Sequence, residues 1–267
     1  MFTIIFRFLK DKKLTIASYT LAVILFLWMY IVLFPSIKDS FSELQKMLHA
    51  MPEGMLKAFG FEVSTFGTFE GYIGSEQFTA IWPIMIIALC SSFAGNALAA
   101  EVEKGTAEVL LSQPISRLRI FFARYISGVL AIFIFIVASI GSIFPLTAIY
   151  NITIKSDNFF RLGLLAFVFA LAIFSIAIFF SALFYEKGKA NFAPAGLLII
   201  MYVINIVSGL KESLQDIKYV SFFYYYNPSK CLVYGQVDNL AWFIFLGSAV
   251  VFTFMGAYIF NKKDVSH

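Results

Sequence analysis

The chain has 267 residues, of which 60% are hydrophobic and only 13% are charged, and its mean hydropathy is +0.85. This composition excludes an ordinary soluble domain and indicates an integral membrane protein. The formal net charge of +4 reports mainly on orientation, because Lys and Arg are retained on the cytoplasmic side of a membrane. We therefore expect a lipid bilayer as the surroundings and no nucleic acid as a partner.

The first dozen residues place bulky apolar side chains beside basic ones, as in Phe6-Arg7-Phe8. This pattern predicts a short helix over residues 1–13 that lies in the membrane interface, although a plain basic start to the first span would look similar. The apolar run that follows is too long for the core of a cleaved signal peptide. We expect it to remain as an anchor.

Six apolar stretches are long enough to cross a bilayer, which takes about 20 residues of helix. None shows the alternation of a barrel strand. The sequence thus predicts one all-α transmembrane domain over residues 1–267. The predicted spans are approximately 14–36, 78–99, 125–147, 162–184, 192–209 and 241–261.

Basic residues are shared unequally between the segments that join these spans. If the N-terminus is inside, the inner segments carry 12 Lys and Arg residues, and the longer outer segments carry 8. The excess on one side predicts that both termini are cytoplasmic. We expect a multi-pass protein of a cell (plasma) membrane, of bacterial type.

Two outer segments leave alternatives open. In residues 37–77, an apolar stripe fits either packing on the span ends or a substrate-binding cap. It comprises Leu44, Met47, Leu48, Met51 and Met55. Residues 219–228 are rich in Tyr and Phe, which fits either an aromatic belt at headgroup depth or a lid.

The segment between the second and third spans has the pattern of a short helix on the inner face. Gly105 permits a tight turn and Thr106 can cap a helix N-terminus. Pro114 would end the helix after about two turns. Because Leu110 and Leu111 give it an apolar side outside the bilayer, this helix needs a protein groove to sit in.

At this segment the chain resembles the permease subunits of the ABC-2 family of ABC transporters, in the branch that includes the permease of the nitrous-oxide-reductase maturation system. Weaker matches at Met51-Pro52-Glu53 and at residues 221–228 extend the resemblance over the whole chain. The residues that carry the main match are Glu101, Glu103, Gly105, Thr106, Leu110, Leu111, Pro114, Ile115, Ser116 and Arg117.

The resemblance implies a type V exporter-like half-transporter. It would pair with a second permease, by default a copy of itself, and with two ATPase subunits that dock on a coupling helix in residues 104–117. The turn at 185–190 resembles a second, smaller ATPase contact and fits an ordinary hairpin equally well. Since the chain lacks a Gly-x-x-x-x-Gly-Lys-[Ser/Thr] loop, it would bind no cofactor directly, and the partner would hold ATP and Mg²⁺.

The span centres carry no ionisable residue, which disfavours a proton- or sodium-coupled carrier. In the resembled fold the second and fifth spans face the partner permease. The residues predicted to line the translocation path are accordingly Asn96, Met201 and Asn205, although the two Asn side chains could equally join neighbouring helices by hydrogen bonds. A path lined by Phe, Met and Ile fits a hydrophobic or amphipathic substrate.

Three functions compete. Export driven by a partner ATPase leads. A scaffold or force-transmitting anchor for ATPases, without cargo of its own, is second. An intramembrane enzyme is last, because His49 and His267 are the only histidines and no carboxylate pair lies inside the predicted spans. We expect no catalytic or metal site, and we interpret Cys90 and Cys231 as reduced, structural residues.

Overall fold

The computed structural model describes residues 1–41, 51, 56, 65–103, 105, 115–210 and 212–263. Within these ranges the chain is helical and forms no strand. The centre of the predicted coupling segment, with Thr106, Leu110, Leu111 and Pro114, lies outside the described residues. So does all of the predicted outer stripe except Met51.

Ten α-helices follow one another along the described chain. They are α1 (Phe2–Asp11), α2 (Lys13–Asp39), α3 (Phe69–Ala97), α4 (Ala99–Glu103), α5 (Arg117–Ile149), α6 (Ser156–Leu183), α7 (Lys187–Leu210), α8 (Phe222–Tyr225), α9 (Pro228–Tyr234) and α10 (Asn239–Lys262). A 3₁₀ helix, Glu212–Val220, joins α7 to α8. In this part of the chain, six helices are long and apolar enough to cross a membrane, namely α2, α3, α5, α6, α7 and α10. The predicted all-α fold with six such helices is confirmed.

Two helices begin well before their apolar cores because polar side chains cap them. The Thr68 hydroxyl accepts a hydrogen bond from the Gly71 N–H at 3.2 Å, so α3 starts at Phe69 rather than near residue 78. Ser116 likewise accepts from the Arg119 N–H at 3.3 Å, and α5 starts at Arg117 rather than near residue 125. Such caps satisfy backbone donors that a helix leaves open.

Helix α6 is the central element, and it packs against α3, α5, α7 and most extensively α10. Its Phe169 and Phe174 are fully buried. Close approach to α5 depends on Gly128, where a Cβ atom would lie 1.9 Å from the Phe174 ring. The most buried helix therefore holds the bundle together.

After one α-helical turn at Phe69–Ile73, α3 winds as a π-helix over Gly74–Ile81. This geometry is rare, and each of its backbone hydrogen bonds spans one more residue than in an α-helix. The Thr79 hydroxyl donates to the Gly74 carbonyl at 2.9 Å. The side chains of Gln77 and Phe78 are fully buried there.

The aromatic segment after α7 turns into the bundle instead of lining its surface. Phe222, Phe223, Tyr225 and Tyr226 are buried. The ring of Tyr226 stacks on Phe169 with centroids 4.1 Å apart. These four rings pack against protein, so they do not form a lipid-facing belt.

Helix α7 has the smallest share of buried residues in its apolar stretch among the six long helices. Its exposed apolar side chains include Phe192, Ile199, Ile200 and Val203. In a bilayer this surface would contact lipid or another helix. The exposed apolar face of the predicted fifth span is thus not covered by the described helices of the bundle.

Candidate functional site

The described residues of the predicted coupling set lie at one end of the bundle, which we call the basal end. It is formed by α1, α4, the first turns of α5, the α6–α7 turn at residues 184–186, and the end of α10. Glu101, Glu103 and Gly105 precede the undescribed residues 106–114, and Ser116 and Arg117 follow them. This end is the one that the distribution of basic residues predicts to be cytoplasmic.

Glu101 pairs with Arg124, which lies two turns into α5. The Arg124 Nη2 atom is 2.9 Å from Glu101 Oε1, and the Arg124 side chain is 9% exposed. The guanidinium carbon also lies 4.1 Å from the centroid of the Phe8 ring in α1. One buried ion pair therefore joins the helix before the coupling segment to the helix after it, and the N-terminal helix covers it.

Glu103 caps the start of α7. Its Oε2 atom accepts a hydrogen bond from the Lys187 backbone N–H at 2.6 Å. A carboxylate is stabilised there because the first N–H groups of a helix have no internal acceptors and carry partial positive charge. The second acidic residue of the predicted pair, just before the coupling segment, is thus bound to the start of α7.

Arg117 and Lys263 connect the far side of the coupling segment to the end of α6. The Arg117 guanidinium donates to the backbone carbonyl of Lys263. The Lys263 ammonium donates to the carbonyls of Ala182 at 2.9 Å and Phe184 at 2.7 Å, with a longer contact to Leu183 at 3.4 Å. Burial lowers the pKa of Lys263 to about 8.

Gly105 and Ser116 occupy turn and cap sites at the two edges of the segment. Gly105 has a φ of 69°, a conformation that glycine adopts without steric cost, and its N–H donates to the Val102 carbonyl at 3.0 Å. Ser116 provides the α5 cap described above. The turn at Gly105 was expected from the sequence, whereas Ser116 was expected in the segment but not as a helix cap.

Of the three residues predicted to line a translocation path, two lie one turn apart on α7 and the third lies on α3. Asn96 lies at the basal end, where its Oδ1 accepts from Lys12 Nζ at 2.9 Å and its Nδ2 donates to the Ser92 carbonyl at 2.7 Å. Met201 is half-buried, and its carbonyl accepts from the Ser221 hydroxyl at 2.7 Å, towards the other end of α7. Asn205 is half-buried on the same helix.

Other polar side chains in the spans join neighbouring helices. The Ser175 hydroxyl lies 2.8 Å from the Tyr125 hydroxyl and accepts from Thr253 at 3.1 Å, so it connects α5, α6 and α10. The Trp82 indole N–H donates to the Ser139 hydroxyl at 3.3 Å, between α3 and α5. These bonds are structural contacts between helices.

The described residues include no group of three or more His, Cys, Asp or Glu side chains that could hold a metal ion. Cys90 and Cys231 are both buried free thiols. Sequence reasoning missed Arg124 and Lys263 as parts of the site, since each looked like one more basic residue of the inner segments. Their burial depends on partners far along the chain.

A family model described as ABC-2 family transporter protein matches residues 7–265, almost the full length of the chain. No curated protein matches the chain significantly. The match covers all six long helices and both sides of the coupling segment. The chain belongs to the ABC-2 family of transporter membrane proteins.

Proposed function

We propose that this chain is the permease half of an ABC exporter, in which a separate ATPase docks at the basal end and drives movement of the membrane helices. The observation that carries the proposal is the pair of contacts made by Glu101 and Glu103. One carboxylate binds Arg124 of α5, and the other binds the first N–H of α7. A load applied to the segment after them would thus act on two membrane helices.

The proposed assembly contains two copies of this chain and two ATPase subunits. The exposed face of α7 suits contact with a second copy, because helices in a bilayer associate through close packing and interhelical hydrogen bonds, and α7 carries the half-buried amide of Asn205. ATP and Mg²⁺ would be held by the ATPase. The termini would be cytoplasmic, and the branch with the nitrous-oxide-reductase maturation permease is the one that the coupling segment resembles.

The proposed substrate is hydrophobic or amphipathic. Asn205 is the better of the two Asn candidates for the path, because Asn96 has both ends of its amide bonded to Lys12 and Ser92. Asn205 instead offers a half-buried amide on the helix that is least covered by the bundle. Met201, one turn before it, would add an adaptable apolar contact.

A second function, force transmission without cargo, is favoured by the opposite end of the bundle, which we call the distal end. The carbonyls that end α9 are bound by side chains of α6 and of the residue before it. Lys155 Nζ donates to Val233 at 3.1 Å, and Asn158 Nδ2 donates to Leu232 at 2.7 Å. Because these hydrogen bonds join α9 to α6, a movement of α6 would also move α9 at the distal end, even if no substrate passed.

The test is capture of co-expressed ATPase subunits, followed by ATP turnover in lipid. Glu103→Ala and Arg117→Ala are expected to bind the ATPase but to lose most of the stimulated turnover. Leu110→Asp is expected to lose binding. Lys262→Ala is the control, since that exposed side chain lies at the same end but outside residues 104–117 and 185–190.

Substrate-stimulated turnover by the unmodified complex would favour export, and turnover without any stimulation by substrates would favour the anchor. Unchanged binding and turnover in all three coupling variants would contradict both functions.

A further inference from the structure

Lys263, the first residue after the last membrane helix, is buried among backbone carbonyls. Its side chain is the donor in three contacts to the last turn of α6 and the residue after it. The last four carbonyls of a helix have no internal donors and carry partial negative charge. A lysine ammonium placed there satisfies several of them together.

The same residue is fixed on its other sides. Its backbone N–H donates to the Ile259 carbonyl in α10 at 2.8 Å, and its own carbonyl accepts from Arg117 of α5. The ammonium also lies 3.9 Å from the centroid of the Tyr185 ring in the α6–α7 turn. Lys263 therefore contacts three membrane helices and the turn between two of them.

Burial of this lysine contrasts with its neighbour. Lys263 is 8% exposed, whereas Lys262 is exposed and lies over the Tyr258 ring at 4.6 Å. A lysine at the end of a membrane helix can ordinarily extend its charge to water, and removing that charge from water is costly unless donors and acceptors replace the water. Here the carbonyls of α6 and the Tyr185 ring do so.

We propose that Lys263 is a positioning residue of the coupling machinery. It holds the end of the coupling segment, at Arg117, and the α6–α7 turn as one unit. An ATPase that displaced either predicted contact, at residues 104–117 or at 185–190, would then displace the other as well. The movement would act on α6 and α10 together. This inference rests on the proposed function and adds to it a role for a residue that lies outside both predicted ATPase contacts.

The first experiment measures amide hydrogen exchange on the full chain in lipid nanodiscs, which reports local opening without any ATPase. Lys263→Met keeps the length of the side chain and removes its donors. We expect several-fold faster exchange at residues 182–187 and also at 115–120. Lys263→Arg should stay near the unmodified rates, and Lys262→Met is the matched control.

The second experiment measures stimulated turnover of the ATPase complex with the same variants. Lys263→Met is expected to retain ATPase binding and to lose at least half of the stimulation, with recovery in Lys263→Arg. If Lys263→Met fails to fold, Lys263→Gln takes its place, because an amide retains two N–H donors without the charge.

Two outcomes would overturn the inference. One is faster exchange at 182–187 without any change at 115–120, because the two contacts would then be independent. The other is faster exchange at both with unaltered stimulation, which would make Lys263 merely structural. Failure of the proposed function gives a different result, since the unmodified chain would then neither capture nor stimulate an ATPase. In that case hydrogen exchange alone would decide whether Lys263 joins residues 115–120 to residues 182–187.

Discussion

Glu101 and Arg124 lie 23 residues apart in sequence and 2.9 Å apart in space, on opposite sides of the coupling segment. The pair is asymmetric, because the side chain of Glu101 is 28% exposed while that of Arg124 is 9% exposed. Loss of one partner leaves the other without its counter-charge. The cost then depends on which charge is left behind and how much water it can reach.

Glu101→Gln is therefore expected to destabilise the protein more than Arg124→Met. It leaves the guanidinium buried beside Phe8, a change that typically costs about 3–5 kcal/mol. Thermal unfolding in detergent checks the order of the two variants. The double variant should recover part of the loss, because neither charge is then left alone.

The exposed pair of Glu186 and Lys189 is the control for this comparison. Glu186→Gln should change stability by less than about 1 kcal/mol, since surface ion pairs contribute little. Equal losses for Glu101→Gln and Glu186→Gln would show that the buried pair is not a structural link.

Replacement of Gly128 should disturb the α5–α6 contact. A Cβ atom there would lie 1.9 Å from the Phe174 ring, and overpacking of this kind typically costs about 1–3 kcal/mol. Gly141→Ala lies in the same helix, in open space, and should be neutral or slightly stabilising because alanine favours helix. A lower midpoint of thermal unfolding for Gly128→Ala but not for Gly141→Ala is the expected result.

The coupling of turnover should depend on pH through Lys263. Because burial lowers its pKa to about 8, the side chain is mostly protonated at pH 7 and mostly neutral at pH 9. The neutral amine loses one donor and its charge, so it binds the α6 carbonyls less well. Stimulated turnover, expressed relative to Lys263→Arg, should fall as the pH rises through about 8.

The elements packed against this lysine carry charged groups that set the comparison. They are Arg117 on α5, Glu186 in the α6–α7 turn and Lys262 on α10, with the Tyr185 ring directly against the ammonium. All remain in the Lys263→Arg variant, whose guanidinium keeps its charge over this range. A constant ratio between pH 7 and pH 9 would show that the protonation of Lys263 does not matter for coupling.

Substitutions of Asn96 and Asn205, the two Asn residues of the predicted path, should affect different properties. Asn96→Ala removes the acceptor of Lys12 and should lower the unfolding midpoint, with turnover per folded molecule largely kept. Asn205→Leu should leave the midpoint unchanged and alter the stimulation by substrates. The reverse pattern would place the path at the basal end of α3.

Much of the architecture could be predicted because membrane helices are encoded by local composition. The length of each apolar run was enough to identify six helices. Their starts were harder, since Thr68 and Ser116 cap stretches that are too polar for a hydropathy window to include. The same limit hid Arg124, which falls inside α5 once the cap is known.

The contacts of the site were less predictable, because they join residues far apart in sequence. Arg117 and Lys263 are separated by 146 positions, and no spacing rule connects them. Tyr226 illustrates the same point, because a Tyr- and Phe-rich segment is typical of a membrane interface and gave no sign of the stack on Phe169 inside the bundle. Local pattern indicated the chemistry of these side chains but not their partners.

Helix α6 takes part in side-chain hydrogen bonds at both of its ends. Its 28 residues extend over about 42 Å at the usual helical rise, more than the roughly 30 Å of a hydrocarbon core. Lys263 binds its last carbonyls, and Asn158 in its first turn binds the end of α9. A hydrogen-bonded helix of this length is a stiff rod along its axis. A force along the axis that displaces its basal carbonyls would therefore displace the distal end of the helix by the same distance. No loop would have to transmit the movement.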